Sequence, residues 1–210
     1  MLEHFKVKKL KLFDDEIKKN ELINMMKTEN AFSLLAKMPE GIIDRYFDIV
    51  FSSNKLSLFV CFFKDELMGY ALLANKPSYL VSEFKSLTPS IFFYLIGKMK
   101  LILLFDLILA VLKIDTLKIN KENKKLLNES LNLNLLAIHK NYQSKGFGKL
   151  FLMNIIDELK KENKFEFICC ETYSTDAENF YVNKLGFNNI GEKTRFAGKL
   201  KVLKKKIKYS

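Results

Sequence analysis

Between His139 and Leu150 the chain reads "HKNYQSKGFGKL", two glycines set among basic and amide side chains with no aspartate or glutamate. An apolar run, "LNLNLLAI", leads into this stretch, and "KLFLMNIIDELKKEN" follows with helical spacing, so the corner joins a strand to a helix. The first turn of a helix carries backbone N–H groups that have no partner within the helix. Glycine lets such a backbone approach a ligand closely, and the positive end of the helix favours an anion. A carboxylate in the corner would repel that anion, whereas Lys145 and Lys149 attract it. The chemistry implied is the cradling of a diphosphate. Neither a G-x-x-x-x-G-K-[ST] loop nor a G-x-G-x-x-G turn is present, so the usual mononucleotide and dinucleotide cradles are excluded. Taken alone, Gly146 and Gly148 could equally serve a tight turn.

A second stretch bears on the choice. "QSKGFG" (Gln143 to Gly148) has the form Q/R-x-x-G-x-G/A, and "AENFYVNKLGF" (Ala177 to Phe187) follows it on a helical segment. In order, spacing and element type the pair resembles the GNAT superfamily, the acetyl-CoA-dependent N-acetyltransferases. The resemblance covers Leu131 to about Ile207 well and the start of the chain more loosely. It implies an α/β (α+β) three-layer fold, a mixed central sheet flanked by helices, with a helical apolar insertion before the fourth strand. It also implies acetyl-CoA as co-substrate, with no metal, and a primary amine as acceptor, on a small molecule such as an amino sugar or on a protein.

Carried over residue by residue, the resemblance assigns pantetheine pairing to the backbone of Ala137 and Ile138, with His139 at the strand end. The diphosphate falls to the amides of Gln143, Ser144, Lys145, Gly146, Phe147, Gly148 and Lys149. Tyr181 takes the place of the general acid, and a phenol that titrates near pH 10 can donate at neutral pH. A core aromatic is the plainer role for it. Many relatives carry a carboxylate where this chain has Asn132, which cannot accept a proton. Glu171 is therefore the nearest candidate base, followed by Glu129, and a water chain could replace either. Ser174 stands where relatives often place an Asn that holds the cofactor, and Lys140 where a Pro is usual. Cys169 and Cys170 could support an acyl-cysteine route with His139 as base, but adjacent thiols in an apolar run read first as core residues.

The elements that must position these groups follow from the periodicities. "HFKVKKLKLF" reads as a strand, and Asp14, Asp15 and Glu16 mark the start of a helix through "EIKKNELINMMK". Helical runs at "FSLLAKM" and "IIDRYFDIVF" precede a hairpin, "LSLFVCFF-KDE-LMGYALLAN". Residues from about Pro77 to Lys125 include "SIFFYLIGKMKLILLFDLILAVLKI", interrupted by Lys98, Lys100, Asp106 and Lys113. Its uncharged runs fall short of the roughly 20 residues a spanning helix needs. One or two helices buried against the sheet are expected, with an amphipathic membrane-surface element as the alternative. Asp106 is expected at a helix face or pocket rim. "KINKENKKLLNES" reads as a polar linker, after which strand, helix, "KFEFICCE" as strand, "TDAENFYVNKLG" as helix, and two last strands complete one GNAT-like domain over residues 1–210.

Composition sets the outer bounds. The hydrophobic share of 49% and charged share of 28% are those of a globular chain rather than a disordered one. A formal charge of +11 favours anionic partners, yet only Arg45 and Arg195 carry the planar fork that base readout favours, so nucleic acid is not expected. Three cysteines, two of them adjacent, point to a reducing, cytoplasmic setting. Two histidines and no CxxC spacing argue against zinc. A non-catalytic acyl-CoA-binding module is the competing function, and a homodimer and peripheral membrane contact stay open.

Overall fold

The computed structural model describes residues 4–12, 16–30, 33–100, 103–104, 108, 117–162, 164–195 and 198–207. Two compact units emerge, one from residues 1–74 with 133–164 and the other from residues 75–132 with 165–210. The class is mixed α/β, as the sequence predicts.

In the first unit, β1 (Phe5–Leu10), β2 (Leu56–Phe63), β3 (Glu66–Ala74) and β5 (Leu131–Ile138, of which residues 133–138 lie here) are neighbours in the order β1-β2-β3-β5. β1 pairs antiparallel with β2, and β2 with β3, through a two-residue turn at Lys64 and Asp65 in which both have positive φ. The register slips between Cys61 and Phe62. Across from that bulge sits Gly69, where a Cβ would lie 2.5 Å from Ala137 O and 2.6 Å from Ile138 Cδ1. A side chain there would push β5 away, so glycine sets the close approach of the strand that leads to the corner. Helices α1 (Glu16–Glu29), α2 (Glu40–Ser52) and α6 (Phe147–Glu162) complete this unit. Phe47, Phe59, Tyr70 and Phe151 are among its largest fully buried side chains.

The second unit holds β6 (Phe167–Thr172), β7 (Asn188–Arg195), β8 (Gly198–Lys206) and the two-residue β4 (Leu117–Lys118), in the order β6-β8-β7-β4 with antiparallel pairs throughout. Its helices are α3 (Pro77–Glu83), α4 (Thr88–Gly97), α5 (Lys121–Glu129) and α7 (Thr175–Asn179), the last running on through one π-helical segment over Phe180–Lys184.

Three expectations change. The stretch read as a polar linker is helical over α5, because the Asn120 side chain accepts from Asn123 N at 2.8 Å and caps the first turn. Leu127 then packs with Cys169 and Val202, with Leu126 and Ile119 against them. "FSLLAKM" shortens to one 3₁₀ turn, Leu35–Lys37. The apolar stretch begins as α3 and α4, but only Leu87 and Leu95 are buried there, and Phe93 (72%) and Met99 (82%) are largely exposed. Asp106 and Lys113, like Asp14 and Asp15, lie outside the described residues. Among the described residues no helix is long and apolar enough to cross a membrane.

Candidate functional site

The corner closes in two steps. After β5 the chain makes a 3₁₀ turn over Lys140–Tyr142, with Tyr142 N donating to His139 O at 2.8 Å and Gln143 N to Lys140 O at 3.3 Å. Ser144 (φ 61) and Gly146 (φ 86) then carry the chain through the left-handed region into α6. The helix propagates from Leu150 N to Gly146 O at 3.1 Å, and its first turn contains no acidic residue. Phe147 anchors that turn. It is buried, stacks with Phe5 at 6.2 Å between centroids, and meets Phe63 and Tyr142 at 5.9 Å each. The Tyr142 hydroxyl donates to Glu66 Oε2 at 2.7 Å, a bond that raises its pKa. Lys145 Nζ closes back on Asn141 O at 2.8 Å, so this ammonium shapes the loop, while Lys149 is exposed on the first turn.

What the corner can hold follows from Gly146. A Cβ built on it meets nothing within 4 Å, so the backbone faces open space at the mouth of a helix with its first amides unpaired by the helix itself. A diphosphate fits such a cradle. The Gln143 amide N–H is engaged by the turn, which narrows the donor set expected from sequence to Ser144 through Lys149.

β5 supplies the approach. Ala137 and Ile138 are buried, and His139 N donates to Met68 O at 2.7 Å, which fixes the strand end to β3. Ile138 O accepts from Gln143 Nε2 at 2.7 Å. The same nitrogen donates to Glu29 Oε2 at 3.0 Å, and Glu29 Oε1 accepts from Lys140 N at 3.2 Å. Glu29, at the end of α1, is a residue of the corner that sequence reasoning missed. It lies more than a hundred positions upstream, and nothing local announces it.

In the second unit, Tyr181 is buried with its ring 5.3 Å from Phe180 and 5.2 Å from Phe187. Desolvation, and then nearby Cys170, push the phenol pKa well above its ordinary value, so it keeps its proton at neutral pH. Glu171 is half-buried, and Lys193 Nζ bridges its two oxygens at 2.9 and 3.2 Å. Strand alternation puts Glu171 on the β6 face of Cys169, opposite the Cys170 face. Ser174 caps α7: its Oγ accepts from Ala177 N at 3.3 Å. Asn132 is buried, and Glu129 is exposed at the end of α5. Cys169 and Cys170 are buried, and desolvation raises the Cys169 thiol to about 11 and Cys170 well above the usual thiol range. Their placement is that of core thiols. Among the described residues no group of three or more His, Cys, Asp or Glu could hold a metal ion.

Comparison with known proteins bears on the fold. Residues 121–204 match the model of the acetyltransferase (GNAT) domain. No curated protein matches the chain. Among solved structures, the fold is similar to the ribosomal-protein-S18-alanine N-acetyltransferase of Escherichia coli, at 13% identity and TM-score 0.56, over 98% of this chain and 96% of that one. A GNAT family acetyltransferase of Elizabethkingia anophelis, solved with acetyl-CoA bound, aligns at 13% identity and TM-score 0.52, over 97% and 99%. A spermidine N-acetyltransferase chimera from Vibrio cholerae and hSSAT aligns at 10% identity and TM-score 0.58, over 98% and 96%. These likenesses show the fold.

Proposed function

We propose that this chain, which has a GNAT-like fold and matches the acetyltransferase (GNAT) domain over residues 121–204, is an acyltransferase that transfers the acetyl group of acetyl-CoA to a primary amine. The observation that carries the reading is the corner at Gly146: positive φ, open space where a Cβ would stand, and an acid-free helix start beyond it. Residues Ser144 to Lys149 would hold the diphosphate on backbone amides, and the β5 backbone at Ala137 and Ile138 would line up the pantetheine arm, with His139 at its end. Bound there, acetyl-CoA supplies an activated thioester. The amine attacks in its neutral form, so that a C–N bond forms as the C–S bond breaks.

Tyr181 donates its phenolic proton to the departing sulfur, and burial keeps that proton in place until it is needed. The proton shed by the amine goes to Glu171 or, through water, to solvent. Lys193 must release Glu171 for the first route, and an incoming ammonium can take over its place in the pair. Ser174 acts by fixing the start of α7, which carries Tyr181 toward its position. The 210 residues would act as one catalytic domain with an insertion at about 77–125, in the reducing cytoplasm.

The acceptor class to test first is an amino sugar, then a protein N-terminus. A net charge of +11 disfavours a polycationic acceptor such as the spermidine named for the Vibrio chimera. A non-catalytic acyl-CoA-binding module is the second reading, favoured by the buried amide of Asn132 and by the pairing of Glu171 with Lys193. A panel of amines assayed by release of free CoA separates the two. Turnover with any primary amine supports the transferase, and tight CoA binding without turnover across the panel supports the module.

A further inference from the structure

The corner itself contains no acid, yet the fold brings one to it. Glu29 ends α1, and its neighbour Asn30 donates from Nδ2 to the hydroxyl of the buried Tyr70 on β3, while Asn30 N donates to Met26 O at 3.2 Å. The end of the helix is thus pinned to the sheet, and Glu29 projects from a fixed base. One oxygen receives the backbone N–H of Lys140 and the other receives Gln143 Nε2.

Two donors therefore converge on one side chain, and a carboxylate is the side chain that accepts at both oxygens without offering a donor. Gln143 Nε2 has two hydrogens, and both are spoken for, one by Glu29 and one by Ile138 O. The amide of the motif's first residue is consequently a tie between α1 and the last carbonyl of β5. The acid's negative charge faces these donors upstream of Gly146, while the first turn of α6 stays free of acidic residues.

We propose that Glu29 is a positioning residue for the diphosphate corner: acting through Lys140 and Gln143, it sets the loop so that the amides of Ser144 to Lys149 converge. This rests on the acetyl-CoA reading of the corner. Neither Glu29 nor its contacts touch the reacting atoms, so its removal weakens the cradle and leaves the chemical step nearly intact.

Calorimetric titration of the full chain with CoA is the test. Glu29→Ala should raise the Kd for CoA about tenfold, in line with the loss of charge-assisted hydrogen bonds, and Glu29→Gln, which keeps one acceptor oxygen, should fall between it and the unaltered chain. The KM for acetyl-CoA should rise in parallel while kcat at saturation moves about twofold or less. The double variant Glu29→Ala/Gln143→Ala should bind no worse than the weaker single variant, because the two side chains act as one unit. If Glu29→Ala does not fold, the near-isosteric Glu29→Gln decides by the same readout. A folded variant with unaltered CoA affinity, or full additivity in the double variant, overturns the role of Glu29 alone. Failure of the unaltered chain to bind CoA removes the acetyl-CoA reading of the corner, and the role of Glu29 with it.

Discussion

Tyr181 and Gly146 ask different questions of the same reaction. Tyr181→Phe keeps the ring against Phe180 and Phe187 and deletes one hydroxyl. The rate of acetyl transfer should fall by about 10²-fold or more, the scale of a lost general acid, with CoA affinity unchanged. Equal turnover of mutant and parent in a CoA-release assay would show that the sulfur leaves without its help. Gly146→Asp puts a carboxylate into the open side of the corner at φ 86. CoA binding should disappear from a folded protein, as read by calorimetry beside a circular dichroism spectrum, and retained affinity would move the diphosphate elsewhere. Both positions were marked in the sequence because the patterns that single them out are local: a glycine pattern before a helix, an aromatic pair within one. The partners of Glu171 and Gln143 were not. The role of such a side chain depends on which partner reaches it, and Lys193 and Glu29 arrive through folding over distances that no short motif spans.

Elements were legible where their periodicity was strong. The hairpin β2–β3, α2 and α6 fall within a few residues of their sequence expectations. α5 was hidden by its composition, since the only apolar residues of "KENKKLLNE" are two adjacent leucines among charged and amide side chains. Its helicity comes from an asparagine cap and from Leu127 meeting Cys169 and Val202. Replacing Asn120 with Ala should therefore cost about 1 kcal/mol, measured as a lowered urea midpoint with an unchanged slope. β4 was invisible for another reason. A two-residue strand exists only through its partner, pairing Leu117 with Lys193 and Lys118 with Glu192. Gly191 makes room for it, because a Cβ there would lie 2.0 Å from Ile119 Cγ2 and 2.6 Å from Lys118 O. Gly191→Ala should destabilise by at least about 1–3 kcal/mol through overpacking against backbone, with φ 152 adding to the cost. Urea unfolding of that variant at parent stability would mean the edge can shift freely.

For the molecule as a whole, composition pointed to a globular chain and the apolar run around Cys169 and Cys170 to core thiols, and the buried thiols give stability a pH dependence. Burial raises Cys169 from 9.0 to about 11, and raises Cys61 and Cys170 as well. Below about pH 9 the thiols are protonated in folded and unfolded chains alike, so their contribution is complete. From about pH 9 to about 11 the unfolded chain releases protons that the folded chain retains, and stability falls by up to about 1.4 kcal/mol per pH unit per thiol. Urea midpoints across that range should decline, and less steeply in Cys169→Ala. The short ladder between β4 and β7 reaches further than its size suggests. α4 ends at Gly97, and the chain is tied to a strand again at Leu117, so the ends of the intervening segment are both fixed on one unit. By making room for β4, Gly191 therefore also decides where the far end of that segment is held.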